Sequence, residues 1–323
     1  MLGERENLLR ALGGEIPEYV PKYSIMWQAG ASILFGDRVN GVGKDIFGVE
    51  WTSEGSAIVA ALPMPNNYIL TDVRKWRDVV KFPDFSGVDW ESMAKKDLER
   101  VNPELPRGGG TAVGGFFQSL CNFMGFSEGL IACYDEPEEV RALMEYLCDC
   151  FLGYADEYLK YYKPDYLLFG DDIAHDKAPF VSLEVFREIF APVWRRYTKF
   201  YKDRGYLAVH HNCGHFEAFV DDLVDMGYNC WEPAQVSNDH LAIKKKYGPK
   251  FVMAGGFDPL PYLPHLNPTE EKTRAGVKET LDRLAPGGGY AWNIDIPVAH
   301  PIDKQVQDWI EDEFMKRRYD YYK

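Results

Sequence analysis

From residue 109 onward the chain alternates between short apolar runs and longer segments whose apolar residues recur at helical spacing. Strands are expected at Gly110–Phe116, Asp165–Phe169, Tyr206 into His211, Tyr228–Trp231, 251–256 and 289–294. Between them lie helical segments. One begins near Asp135, with Pro137 in its first turn and Glu138 three residues on, and its apolar face runs from Val140 to Leu159. A second is capped by Ser182 and bent by Pro192, a third ends at Gly227, and others cover His240–Tyr247, Thr269–Leu284 and the stretch from Pro301. Successive strands joined by helices must run parallel. At least five such units in one chain predict a (β/α)8 TIM-type barrel, a single domain over residues 1–323 with N-terminal helical and loop additions. A doubly wound sheet is the alternative. No GxGxxG follows the first strand, which leaves dinucleotide binding without support.

The additions are less regular. Residues 4–12 suit a short helix stopped by Gly13-Gly14, and Tyr23–Trp27 suits a strand that opens into a loop of small residues. Asp45–Trp51 and Ser56–Pro63 suggest strand and loop segments at one end of the barrel. Residues 71–105, charged and broken by prolines, suggest surface helices.

A formal charge of −14 argues against nucleic acid or an anionic membrane as the main partner, since both favour a basic surface. No run has the apolar length of a membrane span, and MLGERENLLRALGG lacks a signal-peptide core. Six cysteines in so long a chain do not form a disulfide-scaffold pattern, and Cys148 and Cys150, two apart on a helix, point to different faces. A reduced, cytoplasmic protein is expected. The 19 Phe, 20 Tyr and 8 Trp are mostly core, with a minority available to wall a pocket for a flat ligand.

Active sites of barrels form where strands end. Here those ends carry Gln28, Asp171 and Asp172, His211 and Cys213, Glu232, Asp258, and Asn293 with Asp295. Each has an ordinary reading: a turn cap for Asp172, an Asp-Pro turn for Asp258, a charge partner for Glu232. His211-x-Cys213, at a strand end, is either half of a zinc site or a buried thiol beside a hydrogen-bonded histidine. A third ligand would come from an adjacent strand, as Asp172, Glu232, Asn293 or Asp295.

The segments MWQAGAS (26–32), GDDIAHDKAPFVSLEVFREIFAPVWRR (170–196), HHNCGHFEAFVDDLVDMGYNCWEPAQ (210–235), MAGGFDP (253–259) and GGY (288–290) resemble the uroporphyrinogen decarboxylase superfamily, which includes cobalamin-dependent methyltransferases. The decarboxylases carry two arginines in an Arg-Gln-Ala-Gly-Arg loop that grip the substrate's carboxylates. Here that loop reads Trp27-Gln28-Ala29-Gly30-Ala31, so the resemblance points away from porphyrinogen decarboxylation. The methyltransferase branch carries His-x-Cys in a zinc site with a later third ligand, often cysteine. His211 and Cys213 match; no cysteine follows Cys230.

The resemblance therefore implies three options: zinc held by His211, Cys213 and a carboxylate (Glu232 or Asp295), zinc held otherwise, or no metal. In the first, with Asp172 beside the reacting groups, it implies transfer of a methyl group between a methyl ether, a methoxyarene above all, and the cobalt of cobalamin on a separate corrinoid protein. Trp27, Phe116 and Trp231 would wall the substrate pocket, with Gln28 and Asp171 contributing polar contacts. The corrinoid would sit on a partner, because this chain has no Asp-x-His-x-x-Gly motif. Methyl transfer from methylcobalamin to a thiol or to tetrahydrofolate, and non-catalytic corrinoid or tetrapyrrole binding, are the alternatives.

Overall fold

The computed structural model describes residues 1–23, 29–54, 61–294 and 302–322. A small antiparallel sheet comes first: β1 (Gly43–Lys44), β2 (Glu50–Thr52) and β3 (Leu62–Pro63). Six parallel strands follow in spatial order β4 to β9: Gly108–Gly109, Tyr166–Gly170, Leu207–His211, Cys230–Ala234, Val252–Gly255 and Tyr290–Ala291. Residues on either side of positions 24–28 meet the two edges of this sheet. Lys22 bridges Trp292 in parallel, while Ala29 N–H donates to Gly108 O. The sheet is thereby wrapped into the expected TIM-type barrel, although six parallel strands, not eight, are formed among the described residues.

Strand parity organises the layers. Side chains alternate between faces, so Tyr166, Leu168, Val209, Cys230, Val252, Ala254 and Ala291 form one buried cluster inside the barrel. The helix Glu4–Leu12 closes its N-terminal end by adding Leu8, Ala11 and Leu12 to that cluster. The opposite parity, including Leu167, Phe169, Ala208, Trp231 and Met253, packs outward against the helices in a second and larger core.

Several local expectations shift. The run Gly110–Phe116 is a loop, because the Thr111 and Ala112 amides donate to the Tyr197 hydroxyl (2.7 and 2.9 Å) instead of to a strand neighbour. Asp135 ends an earlier helix, Phe126–Asp135, so the next starts at Pro137 with no side-chain cap; it stops at Gly153, and Ala155–Tyr162 is a separate helix. The Tyr228 amide still caps the preceding helix through Leu223 O, which moves β7 on to Cys230–Ala234. Pro192, with no N–H to donate, follows a widened π-type turn at Phe186–Phe190. The final helix starts at Lys304, and only Tyr23 of the expected Tyr23–Trp27 strand is described. No helix among the described residues is long and apolar enough to cross a membrane.

Candidate metal centre

Three adjacent strands build the site, and their register sets its height. Gly170 of β5 pairs with His211 of β6, and His211 pairs with Glu232 of β7. His211 and Glu232 share the interior parity, so both side chains project inward near the C-terminal end of the barrel. Beyond Gly170 the chain supplies Asp172, and beyond His211 it supplies Cys213. The Cys213 amide donates to Asp172 Oδ1 (2.8 Å), which locks the two loops together.

Asp172, His211 and Cys213 each offer one ligand atom, and these atoms all lie within 4.8 Å of one another. Cys213 Sγ stands 3.8 Å from His211 Nε2, and Asp172 Oδ1 is also 3.8 Å from that nitrogen. Two ligand atoms on a tetrahedral zinc stand about 3.5 Å apart, so the donors need only small movements to share one ion. The set is one oxygen, one nitrogen and one sulfur, which suits zinc. Glu232, expected among the ligands, engages the far side of the histidine: its Oε1 lies 3.0 Å from Nδ1. A carboxylate there holds the Nδ1 proton and leaves Nε2 to face the other two donors. Burial disfavours a charged His211, but the Glu232 carboxylate and the contacts with Cys213 and Asp172 outweigh it and raise the pKa well above the ordinary value. Gln118 Nε2 reaches Asp172 Oδ2 at 3.3 Å, and Gln235 Oε1 accepts from Gly214 N–H at 2.7 Å. Neither glutamine was singled out by the sequence, where nothing separates a glutamine with a site role from one on the surface.

Other expected residues lie elsewhere. Asp171 is fully buried beneath the site. Its carboxylate accepts from the amides of Phe116, Phe117 and Gln118 (2.9, 3.0 and 2.9 Å) and from Trp194 Nε1 (2.9 Å). It caps the helix Phe117–Met124 from another segment; no acceptor capacity is directed at a substrate. Burial pushes its pKa up to about 7, against the pull of those four donors. Phe116 packs among Phe151, Phe169 and Tyr197 instead of walling a pocket. Trp231 has the outward parity, packs at a tilt against Phe216 and donates to Asn212 O at 2.9 Å. Trp27, Gln28 and Asp295 fall outside the described residues.

A cavity of about 390 Å³ lies over the ends of β7, β8 and β9, at the same end of the barrel as the cluster. Its wall starts at Pro233, next to Glu232, and includes Gln235, whose bond to Gly214 ties it to the Cys213 loop. A larger concavity of about 790 Å³ lies beside the helix Glu4–Leu12, at the N-terminal end of the barrel and away from the donors.

Similarity to known proteins agrees with this architecture. No curated protein matches the sequence. A methyltransferase from Methanosarcina mazei has the same fold, with a TM-score of 0.66 over 98% of this chain and 99% of that one, at 15% identity. The uroporphyrinogen decarboxylase (URO-D) family pattern covers residues 63–306, which takes in the strands and loops that carry Asp172, His211, Cys213 and Glu232, and the chain belongs to that family.

Proposed function

We propose that the protein is a zinc-dependent methyltransferase that moves a methyl group between a methyl ether, a methoxyarene above all, and the cobalt of a corrinoid on a separate protein. The convergence of Asp172, His211 and Cys213 at the open end of the barrel carries this reading. A set of three protein ligands that leaves one position for substrate is the catalytic arrangement for zinc. The metal would supply Lewis acidity toward the ether oxygen.

The chain's own groups provide the rest. Glu232 fixes the tautomer and ring plane of His211, so that Nε2 is the nitrogen turned to the donors. Asp172 is held by the Cys213 amide and by Gln118, which pre-orders its carboxylate and keeps its outer face half-exposed. As the O–CH3 bond breaks, the oxygen keeps the bonding pair and leaves as a phenolate, while the corrinoid partner accepts the methyl group. The named methyltransferase of like fold supports this assignment over decarboxylation. So does the loop with Ala31, wholly buried, where a carboxylate-gripping arginine would stand.

The test is metal content of the purified protein by plasma mass spectrometry beside Cys213→Ala, followed by a methyl-transfer assay with methoxyarenes and cob(I)alamin. About one zinc per chain, lost in the variant, with demethylation by the wild type, is expected. No metal in either protein removes the Lewis-acid chemistry. Methyl transfer from methylcobalamin to a thiol, with no methoxyarene turned over, replaces the ether by a thiol as substrate.

A further inference from the structure

Asn293 is 6% exposed, lines the cavity over β7–β9, and its Nδ2 has no hydrogen-bond partner among the described residues. A buried amide donor left unpaired is costly, and burying it beside a cavity is the arrangement expected where a ligand supplies the acceptor. Asn293 has the same parity as Ala291 of β9, so it projects to the barrel interior, on the side where His211 and Glu232 project from β6 and β7.

The remaining lining describes the ligand. Pro233, Ala234, Phe257 and Leu260 give apolar faces, and the bare backbone of Gly255-Gly256 forms part of the wall. Asp176 and Asp258 are the charged residues there, and no lysine or arginine lines the cavity among the described residues. Asp176 is exposed, and its hydrogen bond to His175 keeps its pKa below the usual carboxylate value. Two carboxylates, with no lysine or arginine among the described lining residues, disfavour an anionic ligand, and the apolar walls favour an uncharged ring.

Resting on the function proposed above, we infer that this cavity holds the methyl donor, that Asn293 Nδ2 donates a hydrogen bond to a neutral oxygen on its ring, and that Asp176 and Asp258 select against carboxylated methoxyarenes. Asn293 is thus a specificity-determining residue.

Calorimetric titration of the full chain with 2-methoxyphenol and with 2-methoxybenzoate tests this. The phenol is expected to bind at least about tenfold more tightly than the benzoate, and Asn293→Ala to weaken phenol binding about tenfold, the cost of leaving one buried polar pairing unmade. Asp176→Asn is expected to narrow the margin between the two ligands without altering the melting temperature, since that side chain is exposed. Equal binding of the two ligands, or phenol binding unchanged in Asn293→Ala, overturns the inference. Binding is read without a corrinoid partner, which separates the two claims. A protein that binds in this pattern and transfers no methyl group refutes the proposed function alone. One that demethylates methoxyarenes with KM unaltered in Asn293→Ala refutes the cavity assignment alone.

Discussion

Glu232 Oε1 lies 3.0 Å from His211 Nδ1, and the two residues are register partners on adjacent parallel strands. The backbone ladder, not a flexible loop, therefore sets the orientation of the histidine. Replacing Glu232 by Gln keeps the shape but removes the charge and permits the wrong end of the amide to face the ring. Such outer partners are worth about 10–100-fold in metal affinity. Glu232→Gln is expected to lower zinc affinity within that range in a competition titration with a chromogenic chelator, with the fold retained. Unchanged affinity would show that the histidine is oriented by something else.

Asp171 and Asp172 are chain neighbours with opposite duties, and stability measurements should separate them. Truncating Asp171 strands three backbone amides and the Trp194 indole in a wholly buried site. Breaking a buried charged network by removing one partner costs about 3–5 kcal/mol. Urea denaturation of Asp171→Ala should register a loss of that order. Asp172→Asn, half-exposed and with weaker bonds, should stay within about 1 kcal/mol of the wild type while losing bound zinc. If the two variants are equally destabilised, Asp172 is a folding residue and the metal assignment loses its oxygen donor.

How much of this could be read from the chain depends on the residue. His211 and Cys213 stand out because a His-x-Cys pair closes an apolar run, and the alternation of strands and helices points to a barrel. Parity was also readable: Trp231 and Glu232 are consecutive on one strand, so one of them must face the helices. Which one could not be read locally, because a buried strand is apolar on both faces; the barrel interior decided it, taking Cys230 and Glu232 and turning Trp231 outward. Phe116 and Asp171 misled for a related reason. An acid at a strand end suits a ligand or a helix cap equally well, and the capped helix, Phe117–Met124, begins 54 residues before the carboxylate it needs. The helices Phe117–Met124 and Phe126–Asp135 lack a start signal in the sequence, because neither has a side-chain N-cap in its own segment.

His210 shows the opposite parity to its neighbour. It is wholly buried among Phe169, Trp194, Phe216 and Tyr228, and neither ring nitrogen has a hydrogen-bond partner among the described residues. Burial, reinforced by the charge on His211, holds its pKa well below the ordinary value. The unfolded chain binds a proton at this position below about pH 6.5 and the folded chain does not. Stability from this group is therefore fully present above that pH and lost as pH falls below it, by about 1.4 kcal/mol per pH unit. His210→Phe removes the proton uptake. Between roughly pH 6.5 and 5, where this histidine titrates in the unfolded chain, the wild-type stability should fall more steeply than the variant's by about one proton's worth. Parallel pH profiles would contradict a neutral buried histidine.

Gly214 follows Cys213 directly and adopts φ +90°, in the region that favours glycine. A Cβ built there would stand 2.5 Å from His175 O and 2.6 Å from its carbonyl carbon, both backbone atoms that cannot rotate away. The same residue donates its N–H to Gln235, and its carbonyl accepts from Asn238 Nδ2 at 2.9 Å, so the loop is pinned on two further sides. Gly214→Ala must then either push the 175 segment outward or rotate the loop that carries the cysteine. The first route costs stability, about 1–3 kcal/mol for a strained φ alone. The second moves Sγ away from His211 Nε2 and weakens metal binding while every ligand remains in the sequence. Zinc retention after dialysis against a chelator, read beside a urea melt, distinguishes the two: the expected result is a lowered midpoint together with partial zinc loss. Full zinc retention at wild-type stability would mean that the turn relaxes freely and that its backbone does not position Cys213.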